Sequence, residues 1–165
     1  MILSGILETA TGMPAKEFAE RDLFSSIQMT GDWWSDKEGH TMTYCCIDTT
    51  SRDFARFGLL FARNGMWKEN QIITPEWVSE STSPAEGLSY YGLHWWVYPS
   101  TGFFAAQGLH TNDIWINQSL DLVVVRNSDF TRYGAESVRT GSNIHSTQAP
   151  GSWNNTEFLS YITDS

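Results

Sequence analysis

Basic residues are scarce in this chain. Lysine and arginine together number 10 against 19 aspartates and glutamates, so the formal net charge is −9 at pH 7. Nucleic acids and anionic membrane surfaces attract a basic face, which a chain of this charge does not favour. We therefore predict no nucleic-acid partner and no membrane partner. Solubility alone is a sufficient explanation of the acidic excess.

Cysteine is also scarce, because the chain has only Cys45 and Cys46. A disulfide ordinarily joins Cα atoms that lie farther apart than those of sequence neighbours. We therefore predict two free thiols. Neither C-x-x-C nor a zinc-ligand spacing is present, and the four histidines are scattered along the chain. The sequence thus predicts no metal site and no cofactor.

Long hydrophobic runs are missing as well. No segment approaches the roughly 18 apolar residues of a membrane span. The apolar residues 1–7 lack the basic and long hydrophobic regions of a signal peptide, so we expect none in this chain. The sequence does not distinguish a cytoplasmic from a periplasmic location. Hydrophobic residues make up 41% of the 165 residues, which fits one domain with a packed core.

Apolar spacing and end signals predict five helices. Thr49 or Thr50, together with Asp53, resembles a capping pair for the third helix, and Gly65 fits the end of that helix. Thr74 and Pro75 fit the start of the fourth. The predicted helices are 2–11, 14–24, 51–64, 75–82 and 153–163.

The second half of the chain changes to strand-like alternation. Residues 30–48 are predicted as a loop, and residues 128–152 as a long loop or lid. Helices followed by an antiparallel meander indicate an α+β fold with helices packed on the sheet, in a single partial domain over residues 1–165. The predicted strands are 92–98, 102–108, 112–117 and 121–127.

Self-contained catalytic motifs are absent from the sequence. It has no G-x-S-x-G, no H-E-x-x-H and no glycine-rich phosphate loop. S-x-x-K and Y-x-N are also absent. By local motifs alone, the chain has no identifiable nucleophile.

Four segments nevertheless carry recognisable patterns, in order, over about residues 2–130. The strongest are S-R-D-x-A-R-F-G at Ser51–Gly58 and Y-G-L-x-W-W at Tyr91–Trp96, with residues 5–30 and 108–129 beside them. Together they resemble the later part of the beta-lactamase-related serine hydrolases. This superfamily includes class C beta-lactamases, penicillin-binding proteins, family VIII esterases and 6-aminohexanoate-dimer hydrolases. The likeness is greatest to the last two groups, and it implies the C-terminal portion of their fold.

The resemblance implies a mechanism. These enzymes attack an ester or amide with the serine of S-x-x-K, whose lysine acts as base, and a tyrosine of Y-x-N relays the proton. Both motifs precede the part of the fold that this chain resembles. A third element, K-T-G or a variant, lies on an edge strand and gives one backbone amide to the oxyanion hole. One such donor contributes roughly 3–4 kcal/mol in the transition state.

The stretch Ala106-Gln107-Gly108 stands at the K-T-G position. The resemblance implies that Leu109 supplies the oxyanion amide and that Gly108 lets a substrate approach the backbone closely. A structural β-bulge at Gly108 is the alternative. Ala106 in place of lysine argues against recognition of a beta-lactam carboxylate. The side chains that follow are expected to border the substrate: His110, Thr111 and Asn112.

Two of these residues depart from the pattern of the family. Thr111 and Asn112 replace the usual glycine and glutamine, so the detailed geometry of the strand is not carried over. For His110 two interpretations are open: it acts as an acid or base, or it is a surface histidine near the site.

Two tryptophans are candidate substrate contacts. Trp34 lies in the loop before the third helix, where the resembling hydrolases place substrate-contacting residues. Trp95 and Trp96 alternate on a strand, so one is expected in the core and the other, Trp96, in the cleft.

The sequence thus predicts the C-terminal part of a serine hydrolase for a small-molecule ester or amide, inactive alone because its nucleophile is missing. Its principal partner would be the missing N-terminal portion of the same fold. A non-catalytic small-ligand binding module and one half of a split hydrolase are the alternatives.

Overall fold

The computed structural model describes residues 2–108, 111–127 and 154–163. The chain divides into two compact units, Met1–Gly108 with Asn112–Asn127, and Leu109–Thr111 with Ser128–Ser165. In the second unit, the described residues are Thr111 and 154–163, including the helix Asn155–Thr163. The lid predicted over residues 128–152 lies outside the described residues.

The first helix, α1, spans Ile2–Thr11 as predicted. It ends where Gly12, with φ +71°, donates its N–H to the Glu8 carbonyl at 2.9 Å. Ile2 and Ile6 are 80% and 59% exposed, so α1 presents an apolar face to solvent within this chain.

The second helical segment is not the uniform helix predicted over 14–24. It begins as α2, Ala15–Ala19, widens into a π-helical turn over Glu20–Phe24, and ends as α3, Ser25–Ile27. Pro14 offers no side-chain cap, so the Thr41 hydroxyl accepts the N–H of Lys16 at 3.2 Å instead. A residue 25 positions away completes this helix start, which local spacing does not reveal.

Residues 30–48 contain two short strands where a loop was predicted. Strand β1, Asp32–Trp33, pairs antiparallel with β2, Ile47–Asp48. Two-residue strands are too short to produce a visible alternation. Gly31 allows the pairing, because a Cβ there would lie 2.8 Å from Cδ1 of Ile47.

The prediction of two free thiols is wrong. Cys45 and Cys46 form a disulfide in the loop before β2, with their Cα atoms 3.7 Å apart. Cys46 has φ +72°, a conformation that few non-glycine residues adopt. No sequence pattern predicts this left-handed conformation, which accompanies the disulfide between neighbouring cysteines.

Helix α4, Ser51–Ala62, is the central helix of the first unit. Thr50 caps it as predicted, accepting the Asp53 N–H at 3.1 Å and donating its hydroxyl to the Asp53 carboxylate at 2.7 Å. Arg56 also donates to that carboxylate, and the Asp53 side chain is only 6% exposed. Asp53 is therefore a buried structural carboxylate.

We expect Asp53→Ala to lower the free energy of unfolding by about 1–3 kcal/mol, because the exposed Thr50 and the partly exposed Arg56 lose the buried carboxylate that accepts from them. Burial raises the pKa of Asp53, but hydrogen bonds from Thr50 and Arg56 and the charge of Arg56 outweigh it, so this pKa is lowered overall. The unfolded chain then takes up the proton first. The contribution of Asp53 is complete above about pH 4 and is lost as the pH falls further.

Urea unfolding of wild type and Asp53→Ala at several pH values measures this effect. The matched control is Asp32→Ala, whose partner Lys16 lies at 2.6 Å in an exposed pair. This control should leave the unfolding midpoint unchanged. A stability difference between wild type and Asp53→Ala that stays constant down to pH 2 would contradict the assignment.

After α4 the chain makes a short hairpin of β3, Met66–Trp67, and β4, Asn70–Gln71. Gly65 joins the helix to this hairpin with φ +79° and donates to the Leu60 carbonyl at 2.8 Å. Helix α5, Pro75–Ser81, follows, and Thr74 caps it by accepting the Trp77 N–H at 3.2 Å. The predicted start signals of both helices are confirmed, whereas α4 ends at Ala62, two residues earlier than predicted, with Arg63 as its C-cap.

The four predicted strands form one antiparallel sheet in the order β5-β6-β7-β8. They are shorter than predicted because the turns take residues from their ends. Their bounds are Trp96–Tyr98, Phe103–Gln107, Asp113–Asn117 and Leu122–Arg126.

One face of the sheet packs against α4. Ile114, Ile116 and Phe104 on the sheet and Phe61 on the helix belong to the main core cluster. Gly58 lets the helix approach, because a Cβ there would lie 2.6 Å from Cγ1 of Val123. The predicted α+β fold is confirmed.

Polar contacts also bind the end of α4 to the turn between β7 and β8. Gln118 donates its side-chain amide to the Phe61 carbonyl at 2.9 Å. Arg63 donates two hydrogen bonds to the Asp121 carboxylate at 3.1 and 3.0 Å. These contacts complement the apolar packing at one end of the sheet.

The last helix, α6, spans Asn155–Thr163 and agrees with the prediction of 153–163. The Asn154 side chain accepts the N–H groups of Thr156 at 2.9 Å and Glu157 at 3.2 Å, as an N-terminal cap does.

Candidate functional site

The hairpin of β6 and β7 carries most of the predicted site residues. Gln107 and Asp113 are its last paired residues, and beyond them Gly108 donates its N–H to the Asn112 carbonyl at 2.9 Å. Thr111 has a left-handed backbone with φ +60°. The hairpin therefore brings Gly108 and Asn112 into direct contact beside its tip. Leu109 and His110 lie outside the described residues.

Gly108 has a structural reason to be glycine. A Cβ at this position would lie 2.9 Å from the Asn112 carbonyl oxygen, closer than such contacts normally come. The backbone at Gly108 is exposed. The hairpin alone accounts for this glycine, so the approach of a substrate to it stays a prediction.

Ala106, which is predicted to stand at the K-T-G lysine position, packs against the main core cluster. Its register partner is Ile114, a buried member of that cluster. A small apolar side chain suits this environment. The position therefore serves the packing between the sheet and α4.

The opposite side of the hairpin carries a polar group of side chains. Asp113 is 2% exposed, and the Trp115 indole donates to its carboxylate at 3.4 Å. Arg126 is the register partner of Asp113 on β8, and Gln107 is its partner on β6. A buried carboxylate thus lies at the start of β7, paired in register with Gln107 and Arg126.

Tyr98 joins this group through its hydroxyl, which donates to the Gln107 side-chain oxygen at 2.7 Å. Burial raises the pKa of Tyr98, and the negative charge of Asp113 raises this pKa further. The phenol therefore stays protonated at neutral pH. Tyr98 acts as a hydrogen-bond donor to Gln107 in this group.

The two candidate tryptophans occupy different surroundings. Trp96 is 38% exposed, stacks on Tyr90 at 6.1 Å between ring centroids, and meets the edge of Tyr91 at 5.1 Å. Its register partner is Ala105, three residues before Gly108, a separation of about 10 Å along a strand. Trp95 is buried in the main core cluster, as expected for one of the two, and the cleft role of Trp96 stays a prediction.

Trp34 lies in the loop between β1 and β2. It is 44% exposed, and its indole donates to the Asp48 carboxylate at 2.7 Å. Its neighbour Trp33 packs against the second core cluster, which includes Phe24 and Leu60. Exposure leaves the Trp34 ring available for a ligand contact, which stays a prediction.

One group with nucleophile chemistry was missed by the sequence reasoning. The Ser4 hydroxyl donates to Glu8 at 3.0 Å, and His40 lies 3.3 Å from the other oxygen of that carboxylate. The spacing of Ser4 and Glu8 by four residues on a helix was the available signal. Ser4 is fully buried, so no substrate can reach its hydroxyl. The group therefore ties α1 to the loop at His40.

Within 2–108, 111–127 and 154–163, no group of three or more His, Cys, Asp and Glu side chains could hold a metal ion. No helix in those ranges is long and apolar enough to cross a membrane. An open depression of about 400 Å³ lies between α5 and the start of β6, where Ser79, Thr82 and Gly102 line it. It includes none of the predicted site residues.

Comparison with known proteins identifies the fold. No protein-family profile matches the chain, and no curated protein matches it. A solved structure assigned as a 6-aminohexanoate-dimer hydrolase from Bacillus anthracis matches with a TM-score of 0.71 and 22% identity, over 98% of this chain and 42% of that one. A second, assigned as a beta-lactamase from Bacteroides dorei, matches with a TM-score of 0.59 and 20% identity, over 76% of this chain and 47% of that one.

The chain has a beta-lactamase-like fold. It spans less than half the length of the solved structures that it matches. At these identities the likeness is one of fold. The predicted recognition of this hydrolase fold is confirmed.

Proposed function

We propose that this chain forms the C-terminal part of a beta-lactamase-related serine hydrolase, which cleaves ester or amide bonds through an acyl-enzyme. The observation that carries the proposal is the fold match over 98% of this chain but 42% of the Bacillus anthracis hydrolase. The absence of S-x-x-K and Y-x-N from the sequence supports it. The nucleophile and its base would belong to the other part of the fold.

In this proposal the β6–β7 hairpin forms one wall of the active site. The serine attacks the substrate carbonyl, and the Leu109 N–H stabilises the oxyanion of the tetrahedral intermediate. Gly108 keeps the backbone accessible beside it. The residues expected to border the substrate are His110, Thr111, Asn112, Trp34 and Trp96.

The proposed substrate is a small ester or amide rather than a beta-lactam. Ala106 has no charge with which to hold the carboxylate of a beta-lactam, and it packs into the core. The exposed rings of Trp96 and Tyr90 favour an apolar portion of the substrate. The missing N-terminal portion of the same fold remains the proposed partner.

A second candidate function is non-catalytic binding of a small ligand. The cluster of Tyr90, Tyr91 and Trp96 favours it, because the exposed rings of Tyr90 and Trp96, beside the half-buried Tyr91, can bind an apolar molecule without any chemistry. A split hydrolase, whose other half is a separate chain, is the remaining alternative.

We expect the purified 165-residue chain to hydrolyse p-nitrophenyl butyrate no faster than a heat-denatured sample, because it lacks the nucleophile. A fluorophosphonate probe for activated serines should leave it unlabelled. The longer gene product that contains an S-x-x-K segment, or a copurifying chain that contains one, should be labelled on that serine. It should also turn over the ester.

Turnover or serine labelling of the isolated chain would overturn the proposal. If the gene encodes no S-x-x-K segment and no such partner copurifies, the binding module becomes the better account. Saturable quenching of tryptophan fluorescence by a small apolar ester, lost in Trp96→Ala, would then be its signature.

A further inference from the structure

The disulfide of Cys45 and Cys46 lies where the two neighbouring tryptophans are held. The Cys45 carbonyl accepts the Trp33 indole N–H at 2.8 Å. The Cys46 carbonyl accepts the backbone N–H of Trp34 at 2.9 Å. The two peptide groups of the cysteine pair therefore fix both tryptophans by one hydrogen bond each.

The Trp33 end of this connection reaches the core of the first unit. Its ring stacks on Phe24 with centroids 6.1 Å apart and planes at 17°. It packs against the cluster that includes Ile27 and Leu60, both fully buried. A rotation of the Cys45 carbonyl would thus break the hydrogen bond of Trp33, a side chain that packs against this core cluster.

The backbone of the pair depends on a conformation that cysteine does not favour. Cys46 has φ +72°, which is uncommon for a residue with a Cβ. The disulfide closes a small ring around the peptide between the two residues and so restricts its rotation. Without the ring, Cys46 would be free to return to negative φ, and this rotation would reorient the peptide groups whose carbonyls hold Trp33 and Trp34.

The pair is reachable and has no competing partner. Both cysteines are partly exposed, and the neighbouring Tyr44 is 66% exposed. They are the only cysteines in the chain, so neither can form a different intramolecular disulfide. Within this chain the cysteine pair therefore has two redox states, one dithiol and one disulfide.

We propose that Cys45 and Cys46 form a redox-modification site whose substrate is an external dithiol, and that its state sets the hydrogen bonding of Trp33 and Trp34. One thiolate of the reductant attacks a sulfur of the pair and forms a mixed disulfide. The second thiol of the reductant then displaces the chain sulfur. The products are two cysteine thiols and a reductant disulfide, with two electrons and two protons transferred to the chain.

The state of the pair is tested by alkylation and mass spectrometry under denaturing conditions. The chain purified in air should take up no iodoacetamide. After treatment with dithiothreitol it should take up two alkyl groups, at Cys45 and Cys46. Two reactive thiols that persist after treatment with diamide would overturn the proposal, because the pair would then not close.

The coupling is tested by hydrogen exchange measured by NMR on the same two samples. We expect reduction to speed exchange of the Trp33 indole proton and the Trp34 amide by about tenfold or more, because each loses its acceptor. Oxidation with diamide should restore the slow rates. The Trp33→Phe variant identifies the indole signal, and the Trp115 indole, which donates to Asp113, is the internal control.

Equal exchange rates for Trp33 and Trp34 in the two states would overturn the coupling. A parallel acceleration at Trp115 would overturn it too, because it would indicate general loosening of the fold. Neither measurement uses catalytic turnover, so failure here is independent of the proposed hydrolase function.

Discussion

Under the proposed function, replacement of Leu109 by proline in the longer hydrolase is expected to lower kcat by about 10²- to 10³-fold. Proline has no backbone N–H, so the oxyanion would lose one of its donors. The donor acts on charge that develops in the transition state, and the loss should therefore appear in kcat more than in KM. Steady-state kinetics with p-nitrophenyl butyrate gives both constants.

The matched control for this experiment is Leu109→Ala. It shortens the side chain but keeps the backbone N–H, so most of kcat should remain. Circular dichroism and thermal unfolding of both variants separate loss of the donor from loss of folding. If Leu109→Ala lowers kcat as far as Leu109→Pro, the amide is not the group that matters, and the proposed assignment of Leu109 is wrong.

Replacement of Gly65 by alanine is expected to cost about 4 kcal/mol or more of unfolding free energy. A Cβ there would lie 1.8 Å from the Ile73 carbonyl oxygen, a backbone atom that cannot move away alone. Gly65 also accepts the N–H groups of Ile72 and Ile73, at 2.9 and 3.2 Å, so relief of the clash would break these contacts. Since domains of this size are stable by roughly 5–15 kcal/mol, much of the variant should be unfolded.

Gly87→Ala provides the control for this substitution. Gly87 has φ +80°, almost the same as the +79° of Gly65, but nothing lies within 4 Å of a Cβ placed there. It should lose only the roughly 1–2 kcal/mol that a left-handed backbone costs an alanine. Urea unfolding followed by circular dichroism compares the two variants. Equal losses would show that backbone conformation, and not the contact with Ile73, determines the effect.

The helix ends were predictable because their signals are local. Thr50 caps α4 by accepting the N–H of Asp53, three positions later in the chain. Thr74 caps α5 by accepting the N–H three positions after it, and Pro75 occupies the first helical position. The strands of the meander were found from alternation that extends over several residues. In each case the atoms that decide the structure lie within one turn or one strand of the pattern.

Apart from the disulfide between neighbouring cysteines, the missed features depend on contacts between distant residues. The start of α2 is completed by Thr41, and the β1–β2 pair has only two residues on each side. The disulfide accompanies a left-handed Cys46, which no sequence rule indicates. The link between Glu8 and His40 spans 32 residues. Periodicity and spacing carry no information on such pairs.

The candidate site was only partly accessible from the residues themselves. Glycine at position 108 pointed to a close backbone approach, and the structure has one, made by the Asn112 carbonyl. The oxyanion role of Leu109 came from the resemblance alone. The buried Asp113 and its position beside Tyr98 and Gln107 were missed, because a strand pattern does not predict which acidic side chain is buried.

The polar contacts between the end of α4 and the β7–β8 turn have a consequence for how the first unit folds. Gln118 and Phe61 are 57 positions apart, and Arg63 and Asp121 are 58 apart. The chain between the two ends of these contacts must close a large loop. It loses conformational entropy before the contacts form and stabilise the fold. Folding rates fall as such long-range contacts dominate. Helix α5 and the β3–β4 hairpin lie within that loop and can form first, so closure of the sheet onto α4 should be the slow step in reaching the native state.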